Sequence, residues 1–109
     1  MEFEVVPVEA FRKDAKPLFK KYPSLKNDLF HLVESLKTNP TQGILIRPDC
    51  YKIRLAISSK SKGKSAGARI ITCVKVVNQR VYLITIYDKS ENEVFDEREL
   101  LARIAELEG

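Results

Sequence analysis

The spacing of apolar side chains along the chain begins as a short alternation and then takes a helical period. Residues 3–8 partly alternate and include a proline, which predicts a first strand at or near a sheet edge. Apolar residues recur every three or four positions over 9–22 and again over 24–39. This pattern predicts a helical hairpin, in which Pro17 kinks the first helix or divides it in two, and Ser24 caps the second.

Beyond a predicted loop around Gly43 the period becomes two, which is typical of strands with one buried and one polar face. The alternating segments are residues 51–58 and 68–77, and a tight turn is predicted at 78–79. An uncharged run at 81–87 then predicts a central strand.

A final helix is predicted after Asp96, which is its candidate cap. The apolar stripe of that helix consists of Leu100, Leu101, Ile104 and Leu107. The order of elements predicts an α+β fold: an N-terminal strand and a helical hairpin packed on a mainly antiparallel sheet of about four strands, with a C-terminal helix. A chain of 109 residues suits one compact domain over 1–109.

Composition narrows the class of protein. No apolar run is long enough to cross a bilayer, and the first residues lack the pattern of a signal peptide, so a soluble, cytoplasmic protein with no membrane partner is expected. Cys50 and Cys73 lie in apolar runs without the spacing of a zinc or redox motif. We expect two reduced, half-buried thiols, and no metal or cofactor.

Charge is segregated along the chain. Residues 47–80 carry nine basic and one acidic side chain, a net charge of +8, between segments of +1 and −5. A folded segment of this charge is expected to collect cations on one surface and to attract polyanions, of which nucleic acid is the first to consider. The alternative is a lysine-rich, solvated face that keeps the protein soluble.

The strand phases predict where these cations meet. Lys52 and Arg54 share one phase, Arg69 lies in the cationic phase of the next strand, and Tyr87 and Lys89 share a phase at the end of the last. If the register aligns these phases, one exposed sheet face carries four cations and a phenol.

Residues 58–67 predict a mobile hairpin loop with a flexible cationic arm. The lysines predicted to bind RNA or ribosomal phosphates without taking part in chemistry are Lys60, Lys62, Lys64 and Lys75. The triplet at 63–65 is not a phosphate loop, because Ser58 stands where the first glycine is required and a strand follows.

His31 is the only histidine, and it falls outside the apolar stripe of its helix, so we predict a surface position. That placement removes the usual neutral-pH acid or base from the sheet, and catalysis would depend on lysine, arginine or tyrosine. Such groups suit cleavage of RNA by its own 2′-hydroxyl, in which guanidinium groups stabilise the phosphorane and a lysine crowded by cations acts as base. Each cation taken singly is equally compatible with a solvated strand residue.

Three segments resemble the RelE/ParE superfamily of bacterial toxins. They are residues 48–55 (PDCYKIRL), 68–71 (ARII) and 84–91 (ITIYDKSE), and the preceding helical hairpin matches in order and length. Residues 62–69 (KGKSAGAR) resemble the longer-loop, HigB-like branch. The resemblance implies one toxin domain with the RelE-type activity, which is ribosome-dependent endonucleolytic cleavage of mRNA in the A site without a metal or cofactor.

The resemblance also implies roles for individual residues. Lys52 and Arg54 match the paired cations of the first central strand, with Lys52 as candidate base. Arg69 matches the arginine that stabilises the transition state, and Lys89 occupies the place of a further arginine.

An aromatic position completes the set that the resemblance implies. Phe95 stands near the position at which RelE-type members carry a tyrosine that stacks on the substrate base, so Phe95 is predicted to contact RNA. It lacks a hydroxyl, and Tyr87 is the candidate to supply one.

The implied partners are a cognate antitoxin, in a toxin–antitoxin hetero-oligomer, and the ribosome with its mRNA. Two other functions are compatible with the same fold: a ParE-like inhibitor that binds DNA gyrase, and a non-toxic RNA-binding member. The presence of Lys52, Arg54 and Arg69 favours the nuclease, because gyrase binding does not require phosphate-stabilising groups.

Overall fold

The computed structural model describes residues 2–60, 66–92 and 94–108, and these ranges form three helices and five strands. A 3-10 turn, Ser58–Lys60, follows the third strand. In chain order the elements are β1 (Glu4–Pro7), α1 (Glu9–Lys21), α2 (Leu25–Thr38), β2 (Ile44–Arg47), β3 (Cys50–Leu55), β4 (Ala68–Lys75), β5 (Arg80–Asp88) and α3 (Glu97–Glu108). The predicted α+β class is confirmed.

The strands form one mixed sheet in the order β1-β5-β4-β3-β2. β1 runs parallel to β5, and the other neighbouring pairs are antiparallel. Side chains of β4 and β5 are buried along most of both strands. The uncharged run at 81–87 therefore forms a central strand, as predicted.

The prediction of a loop around Gly43 is wrong for residues 44–47, which form the edge strand β2 and give five strands instead of about four. The apolar residues 44–46 do not alternate with polar ones and are all exposed, so periodicity gives no strand signal. Pairing with β3 defines the strand instead. Gly43 packs so closely that an added Cβ would lie 2.4 Å from the carbonyl oxygen of Lys52.

The helical hairpin covers one face of the sheet and encloses the main core. The predicted inward phases of the strands are confirmed, because their apolar side chains pack with those of α1 and α2. The buried members of this core include Phe11, Leu18, Leu25, Leu36, Ile53, Ile70, Val74, Leu83 and Ile86. This arrangement leaves the opposite phase of β3, β4 and β5 on the other face.

The structure decides between local alternatives in the hairpin. At Pro17 the predicted division into two helices is wrong: α1 is one helix, because the missing bond concerns only the carbonyl of Lys13, and both residues are exposed where water can replace it. Ser24 precedes α2 but does not cap it with its side chain. Its hydroxyl instead donates to Asp28 at 2.8 Å and accepts from the Ser59 N–H at 2.9 Å.

The opposite face of the sheet is not fully open, since α3 covers part of it. Leu100 packs there with the buried side chains Cys50, Ile71, Cys73, Ile84 and Tyr87. Asp96 caps α3 as predicted, since its carboxylate accepts from the Arg98 N–H at 3.2 Å. Leu101, predicted in the apolar stripe, is instead 40% exposed. None of the helices in the described ranges is long and apolar enough to span a bilayer.

The turn between β4 and β5 is longer than predicted. β4 ends at Lys75, so residues 76–79 form the connection, and Val76 and Val77 are exposed. The Gln79 N–H donates to the Val76 carbonyl at 3.1 Å, and Gln79 has a φ of 54°. The strand therefore stops two residues before the predicted end because the chain already turns at Val76.

The two cysteines face each other in register across β3 and β4. Both are thiols that form no disulfide among the described residues, and both are fully buried instead of half-buried. The hydrogen bond with Cys73, together with burial, raises the pKa of the Cys50 thiol. The pair therefore stays protonated and contributes packing under α3.

Candidate nucleic-acid interface

A row of three polar side chains crosses the centre of the sheet on the face that α3 only partly covers. Arg54 on β3 lies opposite Arg69 on β4, and Arg69 lies opposite Tyr87 on β5. Neighbouring strands are about 4.8 Å apart, so the row spans about 10 Å. The register thus aligns the three phases as the sequence predicts. We call Arg54, Arg69 and Tyr87 the cross-strand row.

Lys52 lies within β3 and Lys89 directly after β5, both next to this row. Lys52 precedes Arg54 by two residues on β3, so it shares the face of the row. Lys89 follows the last residue of β5, and its N–H donates to the Gly67 carbonyl at 3.1 Å, which extends the pairing beyond Asp88. Neither ammonium group forms an ion pair within the described part of the chain.

Arg69 is the most buried cation of the row, with 5% of its surface exposed. Burial lowers the pKa of its guanidinium, the charge of Arg54 lowers it further, and Tyr87 opposes both effects. One guanidinium nitrogen donates to the Ala68 carbonyl at 3.2 Å. Two adjacent guanidinium charges repel each other, and a bound anion would relieve that repulsion. The centre of the row therefore suits a phosphate.

Tyr87 brings a hydroxyl to the same place. It is buried, and its hydroxyl has no hydrogen-bond partner among the described residues. Burial raises the pKa of this phenol, and the charge of Arg69 acts in the opposite direction. Its ring stacks on Phe95 with a centroid separation of 6.1 Å and an interplanar angle of 22°. Phe95, predicted to contact RNA, thus lies directly beside the row.

Sequence reasoning missed Arg103, which links Phe95 to the rest of the fold. Its guanidinium carbon lies 5.0 Å from the centroid of the Phe95 ring. The same group donates to Asp14 at 2.7 Å and to Glu99 at 2.9 Å. The spacing from Glu99 is a helical i,i+4 pair that the sequence displays, but the contact with Asp14 depends on how α1 and α3 are placed.

A groove of about 570 Å³ opens between α2 and the outer edge of β3. Lys52 and Arg54 line it, and so does His31 from α2. His31 is exposed, as predicted. The inference that this position separates the histidine from the cationic strands is wrong, because the packing of α2 beside β3 places it in the same groove.

No family model matches the chain. The E. coli toxin RelE, as a double mutant in the free state, superimposes with a TM-score of 0.65 at 22% sequence identity, over 95% of this chain and 99% of that one. The chain has the RelE fold.

Two further E. coli RelE structures are similar to this chain, each at 23% identity. The isolated toxin matches over 95% of this chain and 99% of its own length, with a TM-score of 0.49. The double mutant bound to a peptide of the antitoxin RelB matches over 89% and 98%, with a TM-score of 0.48.

Lys60 does not belong to a flexible cationic arm on this RelE fold. Its ammonium group donates to Asp88 and to the Ala66 carbonyl, both at 2.9 Å, and its side chain is only 14% exposed. Asp88 also accepts from the hydroxyls of Tyr22 and Ser90. Lys60 is therefore fixed in a buried ion pair, and the prediction that it is a mobile phosphate contact is wrong.

Of the other predicted RNA-binding lysines, Lys75 is the one that lies in the described part of the chain, and it is not brought to the row. Lys75 lies at the opposite end of β4, six residues from Arg69, which corresponds to about 20 Å along a strand. Lys62 and Lys64 lie outside the described residues. Among the described residues, no cluster of three or more His, Cys, Asp or Glu side chains could hold a metal ion.

Proposed function

We propose that the protein is an endoribonuclease that cleaves mRNA on the ribosome, as the toxin of a type II toxin–antitoxin pair. The observation that carries this proposal is the cross-strand row of Arg54, Arg69 and Tyr87 with Lys52 beside it. Two guanidinium groups and a phenol at one level of the sheet can bind one phosphodiester group and stabilise the further negative charge of its phosphorane. The RelE fold supports the same class, because the superimposed E. coli protein is a toxin.

The row can perform cleavage by internal transfer. The unprotonated amine of Lys52 accepts the proton of a 2′-hydroxyl, whose oxygen attacks the adjacent phosphorus. Arg54 and Arg69 stabilise the added negative charge on the phosphorane. The bond to the 5′-oxygen then breaks, and the Tyr87 hydroxyl donates its proton to that oxygen. The products are a 2′,3′-cyclic phosphate and a 5′-hydroxyl.

Phe95 lies beside this chemistry, because its ring stacks on that of Tyr87. An aromatic ring at this place is available to stack on a nucleobase of the bound RNA. The predicted role of Phe95 in RNA binding is thus compatible with its position.

A cognate antitoxin is part of the proposal. The segment of +8 charge begins at the last residue of β2 and contains β3 and β4, and β2 itself exposes three consecutive apolar residues at 44–46. An exposed apolar edge strand in cationic surroundings suits a segment that is both apolar and acidic. Such an antitoxin segment would neutralise the charge on which RNA binding depends.

The decisive test is cleavage by Arg69→Gln, which removes the central charge but keeps a planar polar side chain. In a translation extract, we expect A-site cleavage to fall by about 100-fold or more, the typical loss for one transition-state donor. Arg80→Gln is the matched control, because Arg80 lies at the far end of β5 in an exposed pair with Glu4. Circular dichroism should show that both variants are folded.

A supercoiling assay with DNA gyrase should be run on the same preparations. The proposal predicts no inhibition of gyrase by the wild-type protein. Inhibition of gyrase without mRNA cleavage, or undiminished cleavage by Arg69→Gln, would overturn the assigned function.

A further inference from the structure

The groove between α2 and β3 shares two residues with the proposed catalytic site. Lys52 and Arg54 lie on the face of the cross-strand row and also line the groove. A chain of nucleotides with one phosphate at the row can therefore continue into the groove without leaving these two cations. The volume of about 570 Å³ is ample for one nucleotide.

The wall opposite the cations carries one aromatic ring, that of His31 on α2. Asp28 also lines the groove, but its carboxylate already accepts hydrogen bonds from Ser24 and Ser58. An aromatic ring that faces a pair of cations is a combination by which proteins hold single-stranded nucleic acid. An isolated surface histidine would carry no such inference, but His31 lies across from Lys52 and Arg54 in one groove.

A fixed amide adds a polar group that could read a base. The Gln42 amide nitrogen donates to the Ser35 hydroxyl at 2.9 Å and to the Asn39 carbonyl at 3.0 Å. These bonds hold the side chain, and its carbonyl oxygen has no partner among the described residues. It is thus available to accept a hydrogen bond from a donor on a base edge.

We propose that this groove is a nucleotide subsite next to the cleaved phosphodiester. Its base stacks on His31 and donates a hydrogen bond to Gln42, while its phosphate contacts Lys52 and Arg54. The inference rests on the proposed nuclease function and adds the recognition of a neighbouring nucleotide to it.

The geometry favours a nucleotide over an added peptide strand. β2 pairs with residues 50–52 of β3, so an added strand could pair with no more than residues 53–55 at this edge. Gly43 also abuts the Lys52 carbonyl, where even a Cβ atom would lie 2.4 Å from the oxygen. A base needs only one ring to stack on and one hydrogen-bond acceptor, and His31 and Gln42 provide these in the groove.

The test measures binding of an uncleavable RNA to the full-length protein. The probes are a 2′-O-methyl trinucleotide and its three versions that lack one base each. We expect removal of one particular base to weaken binding to the wild-type protein by about five-fold or more. His31→Ala and Gln42→Leu should each reduce that difference, whereas Asn27→Ala, an exposed change on α2 outside the groove, should preserve it.

The outcomes separate this inference from the proposed function. If Arg69→Gln weakens binding of the complete probe but His31→Ala leaves the base dependence unchanged, the subsite is wrong and the nuclease site stands. If Arg69→Gln changes neither binding nor cleavage, the proposed function fails as well. Competition by a glutamate hexapeptide, with no dependence on any base, would identify the groove as a peptide site and overturn the inference.

Discussion

At the scale of single residues, the row combines groups that are costly to bury. Arg69 and Tyr87 are both more than nine-tenths buried, and the Tyr87 hydroxyl has no partner within the described part of the chain. A buried hydroxyl without a partner destabilises the folded state by about 1–3 kcal/mol. Groups that lower stability in this way are concentrated at functional sites, where the reaction requires them.

Tyr87→Phe tests this balance, because it removes the hydroxyl and leaves the ring that stacks on Phe95. We expect the free energy of unfolding in urea to stay constant or to rise by about 1 kcal/mol. RNA cleavage should fall by about 100-fold or more, since the proton donor is lost. A variant that loses both stability and activity would show that the hydroxyl is structural.

At the scale of elements, α3 links the packing of the sheet to access to the row. Its residue Leu100 is buried against the sheet with 6% exposure, whereas its neighbour Leu101 is 40% exposed. The two leucines are chemically identical, so they report which face of the helix is packed.

We expect Leu100→Ala to lower the free energy of unfolding by about 2–3 kcal/mol and Leu101→Ala to change it by less than about 1 kcal/mol. Urea denaturation of both variants measures the difference. Equal losses would mean that α3 lies in another orientation or does not pack stably on this face.

A second link between elements is the network around Asp88. This carboxylate joins the end of β5 to Tyr22 after α1 and to Lys60 after β3. Burial alone would raise the pKa of Asp88, but the hydrogen bonds from Tyr22, Lys60 and Ser90 lower it well below that of an ordinary aspartate. The stability that Asp88 contributes is therefore complete above about pH 5 and is lost as the pH falls toward the folded-state pKa.

Asp88→Asn should destabilise the protein by about 3 kcal/mol at pH 7, because it leaves the Lys60 charge without its buried partner. Its stability should also fall less steeply than that of the wild type between about pH 5 and pH 2. Thermal unfolding across this range measures both effects. Glu91→Gln, which breaks only an exposed pair with Lys21, is the control. Parallel pH curves for the wild type and Asp88→Asn would contradict the assignment.

At the scale of the whole molecule, folding brings together part of the charge that the sequence carries on β3 and β4. Three cations, Lys52, Arg54 and Arg69, share one face of the sheet. If all three contact phosphates, the logarithm of the affinity for single-stranded RNA should fall with the logarithm of salt concentration with a slope of about −2.

Arg54→Gln should reduce that slope by about 0.7 and weaken binding without changing base preference. Titration of a 2′-O-methyl RNA of about twelve nucleotides at several salt concentrations measures the slope. An unchanged slope would mean that Arg54 does not contact a phosphate.

The sequence alone determined the helices, the three longer strands and the sharing of phase by Lys52 and Arg54, because periodicity records which face of each element is buried. It also indicated that Asp96 caps α3 and that Tyr87 shares a sheet face with the cations. It gave no signal for β2, whose exposed apolar residues do not alternate.

Only the tertiary structure decided how these elements meet. The alignment of Arg54 with Arg69 and Tyr87 depends on strand register. The burial of Lys60 depends on its contact with Asp88. The position of His31 in the groove depends on the packing of α2 beside β3. These contacts join residues far apart in the chain. Local spacing reports the face that a residue occupies, but the partner across that face is set by long-range packing.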